Sequence, residues 1–175
     1  MKENQRLIYI VDDAPLERDM LKDHLSKMSA YELHTFSTGE EVLGAMRVRI
    51  PAIVFLDYHL SSEVRDAMDG IEVLQEIRKI SPETEVVMIS GQDRIEVAVN
   101  TMKYGAFDYV VKGEGAFVRA EKAVFNIYRF HRLKGNAARY RKLTLVFAVG
   151  MILMIALVIY LYQTGQISDN PGWAY

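Results

Sequence analysis

The first part of the chain alternates short apolar runs with longer amphipathic stretches. The apolar runs are rich in β-branched and aromatic residues and predict five strands, at Arg6–Val11, Tyr31–Phe36, Ala52–Leu56, Glu85–Ile89 and Phe107–Val111. The amphipathic stretches predict five helices, at about 15–28, 38–48, 70–80, 93–104 and 115–134. Thr38 and Asp93 are the expected N-caps of the second and fourth helices. Because most of the runs are continuously apolar, we expect strands covered on both sides. Five such units predict an α/β fold with a five-stranded, doubly wound parallel sheet.

The pattern changes at Leu143, where a run of 20 residues begins that is apolar except for Thr144 and Gly150. As a helix this run is about 30 Å long, which matches the hydrocarbon thickness of a bilayer. A helix that is apolar all round is typical of a membrane span or of the core of a large protein, and this chain is small. We therefore predict a single transmembrane helix at 143–162.

Charge divides the chain at nearly the same place. Residues 1–121 carry 14 Lys and Arg against 22 Asp and Glu, whereas residues 122–142 carry 7 Lys and Arg and no acidic residue. Because no Lys or Arg follows the predicted span, the positive-inside rule predicts a cytoplasmic body and an outer tail at 163–175. We expect the basic neck, residues 135–142, to contact anionic lipid rather than nucleic acid. Gly135-Asn136 is the expected break between the last helix of the body and this neck.

Two further observations narrow the function. The chain contains no cysteine, which excludes disulfide scaffolds, zinc-thiolate sites and thiol catalysis. It also contains no helix-turn-helix pattern and has no room for one, so we expect neither a nucleic-acid partner nor a DNA-binding output.

Polar residues follow four of the predicted strands. Asp12 and Asp13 follow the first strand, Asp57 the third, Ser90 the fourth and Lys112 the fifth. In a doubly wound sheet these strand ends meet at one edge, where functional sites lie. Converging carboxylates repel one another, and Mg²⁺ removes that repulsion while preferring oxygen ligands. A carboxylate beside Mg²⁺ can attack phosphorus, and a hydroxyl and an ammonium can bind the charged phosphoryl oxygens.

The segments that contain these residues resemble the receiver domain of two-component response regulators. They are IYIVDDAPLERDML, IVFLDYHL, MDGIEVLQEIR, VVMISGQD and GAFDYVVK, and the resemblance covers roughly residues 5–130. It implies a flavodoxin-like receiver fold, with the receiver domain at 1–134.

The resemblance also assigns roles to single residues. It implies that Asp57 accepts the phosphoryl group and that Lys112 pairs with the phosphoryl oxygens. The implied ligands of Mg²⁺ are Asp12, Asp13, Asp57 and the backbone carbonyl of His59. Ser90 takes the place of the hydroxyl that turns toward the phosphate, and Tyr109 that of the aromatic switch residue. His59 and Gln92 lie at the two positions that flank the attacking water in the family's dephosphorylation.

The chain departs from the family pattern in two loops. Ser61 stands where the family usually has Pro, and Asp69-Gly70 comes about five residues late. The loop after the acceptor is therefore longer and more polar. Gly113 follows Lys112 where the family usually has Pro with a cis bond, so a cis bond is improbable here and a looser loop is expected.

We thus expect a membrane-anchored, stand-alone receiver at the bacterial inner membrane, not an enzyme beyond slow autodephosphorylation. Its expected partners are a histidine kinase or phosphotransfer protein and a protein effector. One alternative is a receiver-fold scaffold or docking module that works without phosphorylation. Another is an aspartate-nucleophile phosphatase, which usually needs a second Asp two residues after the nucleophile, where this chain has His59.

Overall fold

The computed structural model describes residues 6–28, 30–60 and 68–164, and for residues 134–145 only the backbone. The chain forms two compact units, Met1–Tyr128 and Arg129–Tyr175. Strands and helices alternate in the order β1 (Leu7–Val11), α1 (Pro15–Ser26), β2 (Glu32–Phe36), α2 (Gly39–Met46), β3 (Ile53–Asp57), α3 (Gly70–Ile80), β4 (Glu85–Ser90), α4 (Ile95–Lys103), β5 (Asp108–Val111) and α5 (Ala116–Gln163).

The five strands form one parallel sheet in the order β2-β1-β3-β4-β5. Every residue of β1 and β3 is buried, as is β4 after its first residue, because these strands lie inside the sheet under helices on both faces. The edge strands β2 and β5 are partly exposed. The predicted doubly wound parallel sheet is confirmed, and continuous apolar character correctly indicated the strands at its centre.

The two faces of the sheet carry separate apolar cores. On one face, α2 and α3 pack with residues such as Val42 and Leu74 against the strands. On the other face, α1 and the first turns of α5 pack with residues such as Leu25 and Val124. Each large aliphatic side chain buried in this way stabilises the fold by about 1.5–3 kcal/mol. The cores fix the strands along their length, so residues that follow the strands are held at one edge.

Of the two predicted N-caps, Thr38 is confirmed and Asp93 is not, and α3 has a capping box that was not predicted. Thr38 caps α2, because its side chain accepts a hydrogen bond from the backbone N–H of Glu41 at 3.2 Å. Asp69 forms a capping box with Glu72 at the start of α3. The expectation that Asp93 caps α4 is wrong, since α4 begins at Ile95 and its N-cap is Arg94, without a side-chain hydrogen bond. Asp93 therefore lies one residue before the N-cap position.

The last helix is longer than predicted, because α5 continues for 48 residues. The expected break at Gly135-Asn136 is wrong. A glycine inside a helix costs about 1 kcal/mol relative to alanine but removes no backbone hydrogen bond, and strong helix formers such as Ala137 and Ala138 follow it. Within α5, Val146–Gln163 is long and apolar enough to cross a membrane, and none of these residues is buried inside the protein.

Candidate functional site

The predicted polar residues lie where the strands end. Asp12 directly follows β1, Asp57 ends β3, Ser90 ends β4, and Lys112 directly follows β5. Asp12, Asp57 and Ser90 are buried. The neighbouring strand ends are tied together, since the backbone N–H of Lys112 donates to the carbonyl of Ser90 at 2.7 Å. Four separate strands thus bring these side chains to one edge of the sheet.

Three carboxylates converge at this edge. Asp12, Asp13 and Asp57 each offer an oxygen, and these atoms lie within 4.8 Å of one another. Asp12 is fixed by the backbone N–H of Ala14, which donates to its Oδ1 at 2.9 Å, and by Lys112 Nζ, 3.0 Å from its Oδ2. Oδ1 of Asp57 is buried without a hydrogen bond from any described residue, although Lys112 Nζ lies 3.2 Å away.

Burial decides the electrostatics of this cluster. It raises the pKa of the Asp57 carboxyl, and the nearby charge of Asp12 adds to that effect while Lys112 opposes it. Burial likewise raises the pKa of Asp12 against the opposing hydrogen bonds from Lys112 and Ala14. For Lys112 burial alone would lower the pKa, but contacts with Glu17, Asp12 and Asp57 outweigh it and the pKa is raised. One ammonium therefore serves several carboxylates that are costly to keep charged.

The arrangement fits a hard divalent cation. Its ligand atoms are carboxylate oxygens, which Mg²⁺ prefers over nitrogen or sulfur. Oδ1 of Asp57 is ion-paired with Lys112 but has no aligned hydrogen bond, and a bound cation would also offset the repulsion among the three carboxylates. The residues present thus have the chemistry of a magnesium site.

Gln92 connects three other residues of the site. Its backbone N–H donates to Oγ of Ser90 at 3.1 Å, and its carbonyl accepts a hydrogen bond from the hydroxyl of Tyr109 at 2.7 Å. Its side-chain amide donates to Nε2 of His59 at 2.8 Å. His59 and Gln92, to which the family resemblance assigns the positions beside an attacking water, therefore contact each other. Ser90 and Tyr109 are both hydrogen-bonded to the backbone of Gln92.

The start of α3 lies against the backbone of β3. A Cβ at Gly70 would lie 2.8 Å from the carbonyl oxygen of Tyr58 and 2.9 Å from its Cα, and nearer still to the carbonyl oxygen of Asp57. Only glycine allows this approach. The late Asp69-Gly70 pair thus reaches the end of the acceptor strand, while the inserted residues 61–67, including Ser61, lie outside the described residues.

The loop after β5 adopts a glycine-dependent conformation. Gly113 has φ +123° and Gly115 has φ +72°, in the region that side chains disfavour. The guanidinium of Arg119 donates to the carbonyl of Val111 at 2.6 Å and to that of Glu114 at 3.0 Å. No cis peptide bond occurs in the described part of the chain. Arg119 thus stabilises the loop that contains Lys112. The sequence analysis did not predict these hydrogen bonds.

Two residues of α1 belong to the site although the sequence analysis missed them. Oε2 of Glu17 lies 2.5 Å from Lys112 Nζ. The guanidinium of Arg18 donates to the backbone carbonyl of Asp12 at 2.9 Å and to Oγ of Ser37 at 3.0 Å. Their position in the sequence was the signal that could have found them. Pro15 is the first residue of α1, so Glu17 and Arg18 lie in the first turn of this helix, at the same edge of the sheet.

Comparison with known proteins identifies the class of this fold and site. Residues 8–118 match the family described as the response regulator receiver domain. The chain belongs to that family. Receiver domains are phospho-accepting signalling domains that bind Mg²⁺ in an acidic pocket and interact with histidine kinases or phosphotransfer proteins.

Individual relatives match the same part of the chain. The nitrogen assimilation regulatory protein NtrX of Azorhizobium caulinodans is 37% identical over 109 residues, which are 60% of this chain and 22% of that protein. The chemotaxis protein CheY of Thermotoga maritima is 33% identical over 106 residues, which are 60% of this chain and 83% of that protein. The crystal structure of the receiver domain of NtrX from Brucella abortus is 38% identical with a TM-score of 0.58, covering 67% of this chain and 97% of that one. The chain thus matches only a fifth or so of the NtrX regulator but most of CheY.

Proposed function

We propose that this chain is a membrane-anchored receiver that accepts a phosphoryl group on Asp57 and passes the signal to a protein effector. The observation that carries the proposal is the buried carboxylate of Asp57, which has one oxygen without a hydrogen bond and lies beside Asp12, Asp13 and Lys112. A scaffold that never binds phosphate has no need of two buried carboxylates with a third beside them, because the removal of such charges from water destabilises the fold.

The proposed reaction is transfer of a phosphoryl group from a phosphohistidine. An oxygen of Asp57 attacks phosphorus, the P–O bond forms and the P–N bond breaks. The electron pair of the broken bond leaves with the imidazole nitrogen of the donor, which takes up a proton. Lys112 pairs with a phosphoryl oxygen, as expected of an ammonium 3.2 Å from the accepting carboxylate.

Asp12, Asp13, Asp57 and the carbonyl of His59 are the proposed ligands of Mg²⁺. Bound there, Mg²⁺ would supply positive charge against the oxygens of the phosphoryl group. The chain itself holds one of these proposed ligands in place, since Arg18 and Ala14 fix the turn that carries Asp12.

The proposed switch uses Ser90 and Tyr109. When Ser90 turns its hydroxyl toward the phosphoryl group, it gives up the hydrogen bond from the backbone N–H of Gln92. The carbonyl of Gln92 also accepts a hydrogen bond from the hydroxyl of Tyr109, so a shift of the backbone at Gln92 changes the position of the Tyr109 ring. We propose that a protein effector binds the surface formed by α4, β5 and α5 after this change.

The apolar part of α5 is the proposed membrane anchor, with the span at 143–162. The basic neck at 135–142 would contact anionic lipid headgroups on the cytoplasmic side of a bacterial inner membrane. The receiver domain at 1–134 would then be cytoplasmic and the tail at 163–175 outside. Residues 165–175 of that tail lie outside the described residues. No nucleic-acid partner forms part of the proposal.

The test of phosphoryl transfer uses the whole chain in detergent with Mg²⁺ and acetyl phosphate or phosphoramidate. We expect the intact mass to increase by one phosphate, and no increase in Asp57→Asn or without Mg²⁺. Some receivers accept phosphate only from a kinase, so a titration with beryllofluoride tests the site independently of the phosphate donor. If neither phosphorylation nor beryllofluoride binding occurs, the protein is a docking module, and steady release of phosphate over many turnovers would indicate a phosphatase.

The topology is tested with single cysteines, because the chain has none of its own. Ser168→Cys lies in the tail, and Ser26→Cys lies at the exposed end of α1. In spheroplasts, a membrane-impermeant maleimide should label the first variant directly and the second only after permeabilisation. The reverse pattern refutes the proposed orientation. Labelling of both variants, or of neither, before permeabilisation refutes the anchor.

A further inference from the structure

Lys112 is shared among three carboxylates of very different exposure. Its Nζ lies 2.5 Å from Oε2 of Glu17, 3.0 Å from Oδ2 of Asp12 and 3.2 Å from Oδ1 of Asp57. The Glu17 side chain is 50% exposed, whereas those of Asp12 and Asp57 are 7% and 4% exposed. The shortest contact of the ammonium is therefore to the carboxylate nearest to solvent.

The ammonium is not aligned with Asp57. Lys112 donates to Oδ2 of Asp12 at 3.0 Å, whereas Oδ1 of Asp57 lies 3.2 Å from Nζ without an aligned hydrogen bond. An ammonium has three N–H groups that rotate together, so an N–H group that is directed at Glu17 does not serve Asp57 at the same time. Glu17 thus draws Lys112 toward α1 and away from the carboxylate that the ammonium has to serve.

We propose that Glu17 is a positioning residue that competes with the phosphoryl group for Lys112, an inference that rests on the proposed function. In the unphosphorylated protein Glu17 holds the ammonium. On phosphorylation the ammonium turns to a phosphoryl oxygen, and Glu17 is released into water. This release costs little free energy, because the carboxylate of Glu17 is half-exposed and water replaces the lost contact with Lys112. Glu17 thereby shifts the equilibrium toward the unphosphorylated form.

Asp12 is not suited to the same role. Its side chain is buried, and its Oδ1 is held by the backbone N–H of Ala14. It also belongs to the carboxylate cluster proposed to bind Mg²⁺, so it stays in place during phosphorylation. Among the three carboxylates around Lys112, Glu17 is the one whose contact can be exchanged.

The test compares Glu17→Gln with the unchanged chain, both as the whole chain in detergent with Mg²⁺. Loss of the competing charge should tighten the binding of beryllofluoride about two- to five-fold, the range expected for one partly exposed ion pair. Glu76→Gln is the matched control, because Glu76 pairs with Lys79 at 2.6 Å on α3 and its side chain is 39% exposed. The control should bind beryllofluoride as the unchanged chain does.

A second measurement reports directly on Lys112. With an amine-reactive acylating reagent and peptide mass analysis, Lys112 should be modified faster in Glu17→Gln than in the unchanged chain, whereas Lys79 should not. A purely structural role of Glu17 would leave this difference absent. The proposal is overturned if Glu17→Gln binds beryllofluoride no more tightly, or if the labelling of Lys112 is unchanged. Failure of the unchanged chain to bind beryllofluoride would instead count against the proposed function.

Discussion

Gly70→Ala is expected to destabilise the receiver unit at the acceptor strand itself. The added Cβ would lie 2.8 Å from the carbonyl oxygen of Tyr58 and 2.9 Å from its Cα, distances that real Cβ atoms do not show. All the overlapping atoms belong to the backbone of Asp57, the last residue of β3, and of Tyr58, which follows it, so a change of rotamer gives no relief. Separating α3 from β3 should cost about 1–3 kcal/mol, the range for an overpacked methyl group.

Gly44→Ala is the matched control for this substitution. Gly44 lies on the exposed side of α2, and no atom stands within 4 Å of a Cβ added there. Here alanine should stabilise the protein by about 0.5–1 kcal/mol, because glycine loses more backbone freedom in a helix. The two glycine-to-alanine changes should therefore have opposite signs.

Urea unfolding of the whole chain, followed by circular dichroism in detergent, measures both effects. Gly70→Ala should lower the midpoint and Gly44→Ala should raise it. Gly70→Ala should also weaken beryllofluoride binding, since the displaced backbone carries Asp57. If Gly70→Ala unfolds at the same urea concentration as the unchanged chain while Gly44→Ala is stabilised, the close approach of α3 to β3 is refuted.

Three further predictions concern other parts of the molecule. Mg²⁺ should raise the thermal midpoint, because a ligand bound only to the folded state stabilises it, and this rise should be smaller in Asp12→Asn; an equal rise contradicts the proposed ligand set. Thr84→Val should cost about 1–3 kcal/mol in urea unfolding, because buried Thr84 donates to the carbonyl of Pro51 at 2.9 Å and valine leaves that oxygen unpaired; an unchanged midpoint contradicts this. Hydrogen bonds from Arg49 and His34 lower the pKa of Glu32 to about 2, so the stability that Glu32 contributes is complete above its ordinary value near 4.5 and is lost as the pH falls through about 2. An NMR titration of this carboxyl should find the low value, and Arg49→Ala should raise it.

The strand bounds could be predicted to within about one residue, because the apolar runs stand out clearly from the sequence around them. The strands β1, β2, β3 and β5 begin one residue later than the runs that predicted them. Phe107, the first residue of one such run, donates its backbone N–H to the carbonyl of Val86 but precedes the registered pairs of β5. The end of the last helix could not be predicted in the same way. Gly135 weakens a helix without ending it, and whether the helix continues depends on the balance of all its neighbours.

The site could be predicted where topology alone decides position. Parallel strands have their carboxyl ends at one edge, which is enough to bring Asp12, Asp13, Asp57 and Lys112 together. The roles implied for these residues stay predictions. Glu17 could not be found from strand ends, because its contact with Lys112 depends on where the first turn of α1 lies over the sheet. Contacts between a helix and a loop depend on packing, which no short motif encodes.

The packing of α5 on the sheet also sets an order of events during protein synthesis. The sheet face with Ile10 and Phe55 is covered by α1 and by Ala116–Ile127, the last part of the core to leave the ribosome. Until then the part of that face that α5 covers is open to water, and a chain that stops before Ile127 should aggregate through it. The apolar segment from Val146 follows shortly afterwards, so the receiver core is completed just before the segment proposed to enter the membrane. A recombinant fragment that contains residue 127 and stops before 146 keeps the cover of the sheet and omits that segment.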